Sequence, residues 1–240
     1  MRLCLASDLH GCVRAASYLA KAARALGCSA IVVAGDISAW QDSGSYLRAM
    51  QELRGFGGKV VVVLGNSDRP DLLGISPSEI SVLHGTCERV NGVRFVGASG
   101  VPPSSYPSWF TVSEDELSEL LKRATLGCLE GGPLVSVTHV PPFGVLDRVY
   151  DGSNVGSKAV INFIREKVPA LHVCGHIHEA RGTALVGKTL VVNPGQLRDG
   201  EPVYVADVSG SGASVKALQP SLQSRPSTTL HFHERVSFTS

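Results

Sequence analysis

Five apolar runs in this chain each end in a short block of metal-ligand residues, and that pairing constrains the fold more than any other feature. Leu3 to Ala6 runs into Ser7-Asp8-Leu9-His10, Ile31 to Ala34 into Gly35-Asp36, and Val60 to Leu64 into Gly65-Asn66-Ser67-Asp68. Leu134 to Thr138 delivers His139 ahead of Pro141-Pro142, and Leu171 to Cys174 delivers Gly175-His176-Ile177-His178. Short continuous apolar runs bounded by turn residues read as strands buried on both faces. Side chains just past the carboxyl ends of such strands converge on one crevice in open α/β sheets. The blocks together read as one site for two metal ions.

The first part alternates strand and helix. Ala16, Leu19, Ala20, Ala23 and Leu26 fall at helical spacing before Gly27, and a second helix is expected over Ser43 to Arg54. From Ile80 the pattern turns towards hairpins, with helices expected over Ser113 to Ala124 and Gly156 to Val168. The pairs Thr183–Val186 with Thr189–Val192, and Val203–Val208 with Ala213–Leu218, flank turn residues. A mostly parallel half followed by an antiparallel half predicts an α/β fold of two mixed sheets packed together with helices outside. One domain is expected over 1–218, followed by a Ser-, Thr- and Pro-rich tail over 219–240 in which Leu230 to Phe238 is a candidate edge strand.

With 240 residues, 43% of them hydrophobic, the chain can bury one sizeable core. A net charge of +1 gives no polyelectrolyte surface, so a small substrate is favoured over nucleic acid. The cysteines (Cys4, Cys12, Cys28, Cys87, Cys128, Cys174) show no CxxC spacing, which reads as a reduced, cytoplasmic protein. The first strand begins almost at Met1, leaving no room for a signal peptide. No apolar run approaches the ~20 residues that cross a bilayer.

Two divalent ions held close together grip phosphoryl oxygens and activate water at neutral pH. They need a shared carboxylate, and Asp36, placed between the first and third blocks, is the candidate. Carboxylate, imidazole and amide donors without thiolate favour Mn, Fe, Zn or a similar first-row ion over a structural zinc site.

In this order the blocks resemble the calcineurin-like metallophosphoesterase superfamily. Its DxH, GDxx, GNH[DE], H and GHxH motifs correspond to Asp8-Leu9-His10, Gly35-Asp36-Ile37-Ser38, Gly65-Asn66-Ser67-Asp68, His139 and Gly175-His176-Ile177-His178. The stretch from His139 to Glu179 is most similar to a subgroup that includes class III cyclic-nucleotide phosphodiesterases. The resemblance implies an αββα sandwich. It assigns Asp8, His10, Asp36 and His178 to one metal, and Asp36, Asn66, His139 and His176 to the other, Mn being favoured among Mn, Fe, Zn and Ni. It further implies a phosphodiesterase that hydrolyses a small phosphodiester or cyclic nucleotide through a metal-bridging hydroxide. A phosphomonoesterase, protein phosphatase or nuclease is the alternative, and a noncatalytic scaffold a third.

One position departs from the pattern: Ser67 stands where the family carries a histidine that contacts phosphate and protonates the leaving group. A serine hydroxyl is no general acid near neutral pH, a loss on the order of 10²- to 10⁴-fold for poor leaving groups. Asp36, Asn66, Ser67 and Asp68 are therefore the catalytic candidates, with proton delivery reassigned to water or to Asp68. His84 reads as structural, His172 as a residue that packs or faces solvent, and His231 and His233 as tail or edge-strand residues. Arg148 and Lys158 are candidate phosphate-holding cations or solvated surface. Ser157 with the following amides is a candidate anion site, and Asn193-Pro194-Gly195 a structural turn at the site rim.

Overall fold

Each apolar run forms a strand whose alternating side chains divide between two buried layers. The computed structural model describes residues 1–104, 107–128, 131–198, 201–220 and 232–239, with 219, 220 and 232–239 given as backbone. Strands β1 (Arg2–Ala6), β2 (Ala30–Ala34), β3 (Lys59–Val63) and β4 (Ile80–Val82) lie parallel. Beyond β1, β11 (Val203–Ser209), β12 (Gly212–Pro220) and β13 (Phe232–Thr239) continue the sheet antiparallel, in the order β13-β12-β11-β1-β2-β3-β4. The second sheet has the order β5-β6-β7-β8-β10-β9, built from β5 (Thr86–Val90), β6 (Val93–Ala98), β7 (Leu134–Thr138), β8 (Leu171–Val173), β10 (Thr189–Asn193) and β9 (Gly182–Val186). Its four central strands are parallel and its two edge pairs antiparallel.

Leu5, Val32 and Val63 of the first sheet share a buried layer with Phe95, Val137, Val173 and Val192 of the second. The intervening residues Cys4, Ile31, Val33 and Val62 belong to the layer that holds Ala16 and Leu19 of α1 (Val13–Ala25) and Met50 and Leu53 of α2 (Ser43–Arg54). Val96 and Leu134 likewise join Leu117 and Leu121 of α3 (Glu114–Leu126) and Val160 and Phe163 of α4 (Lys158–Lys167). The result is the expected αββα sandwich of two mixed sheets flanked by helices. Among the described residues no helix is long and apolar enough to cross a membrane.

Helix starts follow their caps. Ser113 Oγ accepts from Glu116 N at 3.1 Å, and Ser157 Oγ from Val160 N at 3.2 Å. Each such cap contributes about 1 kcal/mol. Because Ser157 is extended (φ −88°, ψ 132°) to serve as cap, α4 begins at Lys158 and not at Gly156. β13 pairs antiparallel with β12 at the sheet edge, within the stretch expected as tail. His231 lies outside the described residues, and His233 is given only as backbone within β13.

Cys87 on β5 and Cys128 just after α3 are joined as a disulfide with Cα atoms 5.8 Å apart, so the reading of all six cysteines as free is corrected for this pair. Nothing in their spacing announces it. Of the two places open to His172, packed or facing solvent, it takes the packed one: fully buried on β8, it bonds Ser136 Oγ through Nδ1 (2.8 Å) and Thr138 Oγ1 through Nε2 (3.3 Å).

Burial pushes the His172 imidazole down to about 3. The unfolded chain therefore takes up a proton near pH 6.5 that the folded chain refuses, and stability is lost as pH falls from 6.5 towards 3. Lowering the pH from 7 to 5 should cost roughly 2 kcal/mol through this residue. Denaturant unfolding of the parent and of His172→Gln across that range should show a shallower pH slope in the variant; parallel slopes would remove the assignment.

Candidate metal centre

The register of the parallel strands sets the ligand blocks side by side. Ala6 pairs with Val33 and Ala34 with Val63, while Thr138 pairs with Ala98 and Val137 with Val173, so the loops after β1, β2, β3, β7 and β8 leave from adjacent strand ends. The β1–β2 ladder then continues into the loops: Asp8 N donates to Gly35 O (3.0 Å), His10 N to Asp36 O (2.8 Å) and Gly11 N to Ile37 O (2.8 Å). Asp8, His10, Asp36 and His176 hold left-handed backbone (φ 56°, 45°, 51° and 67°). Such conformations cost energy in non-glycine residues and persist where surrounding structure over-determines them, typically at functional sites.

The glycines of the motifs let backbone approach the ligands. A Cβ on Gly65 would fall on Asp36 Oδ1 and His139 Nε2, and one on Gly175 on Ser7 Oγ and Asp8 Oδ2. Only a residue without a side chain fits at either place.

All seven predicted ligands come together. Asp36 presents its two oxygens to different histidines, Oδ1 lying 3.4 Å from His139 Nε2 and Oδ2 3.8 Å from His10 Nδ1. That is the disposition a bridging carboxylate needs. Asp8 Oδ1 lies 3.2 Å from His178 Nε2, 3.8 Å from His10 Nε2 and 4.0 Å from His139 Nε2, so Asp8 also reaches towards both halves of the cluster. Asn66 Oδ1 is 3.0 Å from His139 Nε2, and the His176 ring sits 5.0 Å from that of His139. Two groups, Asp8 with His10 and His178, and Asp8 with Asp36 and His139, have the spacing of metal ligands.

The donor set fits divalent ions. Asp8 Oδ1 is a fully buried carboxylate oxygen with no aligned hydrogen-bond donor, despite its closeness to His178. His139 Nδ1 donates to Ala34 O at 2.7 Å, which turns the Nε2 lone pair towards Asn66 Oδ1 and Asp36 Oδ1. His10 and His178 likewise oppose their Nε2 atoms at 3.3 Å. Acceptors facing acceptors need a cation or a proton between them. Accordingly, although burial pulls the His139 imidazole down, Asp36 and Asp8 together push it up to about 10. Burial raises the Asp36 carboxyl, but His139, His10 and the Ser67 amide hold it well below the usual carboxylate range. His176, mainly through burial, is pushed down to about 4, leaving a neutral imidazole suited to a metal.

The catalytic candidates divide. Ser67 donates through N to Asp36 Oδ1 and through Oγ to Asp36 Oδ2, both at 2.8 Å, clamping the shared carboxylate. Asp68 is fully buried and accepts at Oδ1 from Ser38 N and Oγ (2.7 Å each), and at Oδ2 from Gly65 N (2.8 Å) and Ile37 N (3.2 Å). Burial and the Asp36 charge push it up to about 6, but its bonds tie it to the loops and make it a positioning residue.

Other expectations meet definite partners. The amide end of α4 is already occupied: Glu114 accepts from Ser157 Oγ (2.8 Å), Ala159 N (2.7 Å) and Lys158 N (3.2 Å), which displaces the anion-site reading of Ser157. Arg148 is exposed, and Lys158 Nζ lies 5.9 Å above the Phe143 ring. Asn193 Nδ2 donates to Ile177 O (2.9 Å) and Gly175 O (3.4 Å), holding the turn that carries His176. His84 accepts from Ser99 N at 3.3 Å and packs on Phe110, a structural place.

The cluster opens into a cleft of about 560 Å³ whose wall includes Trp40 and Pro107, and His176 also lines a neighbouring apolar cavity of about 510 Å³ with Val101, Val140, Phe143, Val149 and Ile177. The sequence carries no signal that singles out Trp40, Glu114 or Phe143, because each reaches the site from an irregular segment or from a helix start distant in the chain.

Comparison with known proteins agrees with this geometry. The chain is 28% identical over 145 residues to UPF0046 protein K07C11.7 of Caenorhabditis elegans, a match that spans 60% of this chain and 46% of that protein, under half its length. Among solved structures it is similar to TT1561 of Thermus thermophilus (TM-score 0.69, 19% identity, 89% of this chain and 97% of that one). It is also similar to a dimetal phosphatase from Danio rerio (TM-score 0.65, 14% identity, 90% and 95%). At these identities the structures speak for the fold. The family model of the calcineurin-like phosphoesterase superfamily domain matches residues 1–209. With that match over most of its length and an Asp/His cluster spaced for metal, the chain belongs to the calcineurin-like phosphoesterase superfamily of metal-dependent phosphoesterases.

Proposed function

We propose that the chain is a binuclear metal-dependent phosphodiesterase acting on a small phosphodiester, with Asp8, His10, Asp36 and His178 holding one divalent ion and Asp36, Asn66, His139 and His176 the other. The observation that carries the diester reading is that His176 lines two cavities, the metal cleft and its apolar neighbour. A diester bears two alcohol groups on phosphorus and uses both; a monoester uses one. Divalent ions, Mn favoured over Fe, Zn and Ni, supply Lewis acidity and lower the pKa of water towards neutrality.

The chain's own residues orient this chemistry. Ser67 fixes Asp36, Asp68 fixes the loops of Ser38 and Gly65, and Asn193 fixes the His176 turn. With its hydroxyl engaged by Asp36, Ser67 has no proton to give, and the histidines lining the cleft are all assigned as ligands. Alkyl monoesters, which depend most on a protonated leaving oxygen, lose most by this; cyclic or activated diesters lose least. A phosphomonoesterase is the second reading, in keeping with the name of the Danio rerio protein. The near-neutral charge supports a small substrate rather than nucleic acid. A cytoplasmic setting, read from cysteine usage, belongs to the same proposal; the Cys87–Cys128 disulfide is the observation against a strictly reducing compartment.

Three measurements test this. Initial rates with Mn or Ni should favour bis-p-nitrophenyl phosphate over p-nitrophenyl phosphate, and a strong monoester preference would overturn the diester reading. Asp36→Asn should carry at most one metal equivalent where the parent, purified without chelator, carries two; retention of both would remove Asp36 as the bridge. Ser67→Ala should lower metal affinity or activity roughly 10- to 100-fold, as loss of a hydrogen bond behind a ligand does. An unchanged metal-binding curve and rate would show that the clamp is dispensable.

A further inference from the structure

Both tryptophans of this chain stand together beside the metal cleft. Trp40 lines the cleft with His10, Asp36 and Asn66, and Trp109 meets it edge to face, ring centroids 6.4 Å apart and planes at 78°. They are 47% and 48% exposed, whereas most other Phe and Tyr side chains among the described residues are buried, Phe143 and Tyr150 being exposed. Exposed aromatic surface at the edge of a polar cleft marks a binding site rather than a packing remnant.

The rings are also held in place. Trp40 and Gln41 both have left-handed backbone (φ 23° and 59°), a conformation that a bulky residue adopts only under constraint. Gln41 N donates to Ser67 O and Trp109 N to Asn66 O, both at 2.9 Å. The two aromatic loops are thus fixed to the Asn66-Ser67 segment, which carries one ligand and the clamp on another. A ring seated on the tryptophans is placed in a set relation to a phosphate at the cluster.

We propose that Trp40 and Trp109 form a platform for the nucleobase of the substrate, so that the phosphoester hydrolysed at the metal centre is a nucleotide derivative. This deepens and rests on the phosphodiesterase reading above. Nucleobases are the planar rings that biological phosphoesters commonly carry, and aromatic faces stack them with little regard to base identity. Trp40 and Trp109 are then specificity-determining residues.

Because the chain has just these two tryptophans, its intrinsic fluorescence reports the platform directly. Metal-loaded protein is titrated with adenosine 5′-monophosphate, ribose 5-phosphate and p-nitrophenyl phosphate, with calorimetry in parallel. The expected result is quenching by the adenosine nucleotide at concentrations where ribose 5-phosphate has no effect. Trp40→Ala and Trp109→Ala should each weaken nucleotide binding by roughly 5- to 100-fold, the range that stacking one base supplies, and leave ribose 5-phosphate binding unaltered. Trp40→Phe should restore most of the loss. Equal binding of the nucleotide and ribose 5-phosphate, or alanine variants that bind the nucleotide as the parent does, would overturn the platform; p-nitrophenyl phosphate binding as tightly as the nucleotide would overturn the nucleobase assignment. Hydrolysis of bis-p-nitrophenyl phosphate separates the two proposals. Hydrolysis without base preference defeats the platform alone, whereas base-dependent binding without hydrolysis of any phosphoester defeats the phosphodiesterase reading alone.

Discussion

Asp8 and Asp36 lie side by side at the ends of neighbouring parallel strands, buried to 0% and 3% exposure, and the rest of the site answers that fact. A buried carboxylate is costly unless paired and hydrogen-bonded, and two in contact repel as well. Backbone amides and a hydroxyl meet part of the cost: Ser67 N and Oγ donate to Asp36, and His176 N donates to Asp8 Oδ2 at 3.2 Å. Imidazoles of His10, His139 and His178 meet more. What remains is Asp8 Oδ1, fully buried and without an aligned donor. A positive charge among these groups completes the arrangement, and the high proton affinity of His139 without metal is the same demand expressed through a proton.

Holding such a cluster requires a rigid surround. Four of the proposed ligands, Asp8, His10, Asp36 and His176, carry left-handed backbone, and the continued β1–β2 ladder holds the first three by cross-strand hydrogen bonds from Asp8, His10 and Gly11. Ser7 Oγ ties the end of β1 to Ala34 O at 2.9 Å, and His139 Nδ1 uses the same carbonyl. Beneath His139, the buried Ser136, His172 and Thr138 side chains form a hydrogen-bonded set, and Thr138 Oγ1 donates onward to Val140 O at 2.7 Å. The strand end that delivers His139 is thus fixed from both sides.

Much of this was legible in the sequence because strand chemistry is local and repetitive. Apolar runs of four or five residues, each closed by a ligand block, place Asp8, Asp36 and Asn66 on one sheet and His139, His176 and His178 on the other. The helix start at Ser113 was likewise readable from neighbouring residues, whereas Ser157, read as a candidate anion site within a helix starting at Gly156, turns out to be the cap of α4. Contacts made between distant segments were not. Glu114 caps a helix that begins 44 residues later, Cys87 meets Cys128 across 41 residues, and Ser67 turns to Asp36 across 31. No periodicity records such encounters, because each depends on how sheets and helices stack after the strands have formed.

The same distinction separates chemistry from specificity. The proposed metal ligands sit where strands end, so any chain that keeps the strands and blocks keeps the cluster, and neighbours at 14% and 19% identity still share the fold. Trp40, Trp109 and Phe143 lie in irregular segments whose side chains are aimed by hydrogen bonds to the ligand loops and by turns, such as Trp109 N to Asn66 O and Phe143 N to Ser157 O, both at 2.9 Å. Loops of this kind vary without disturbing the core. Within this family fold, substrate choice can therefore change around a constant set of strand-end residues, through the two cavities and the exposed rings beside them.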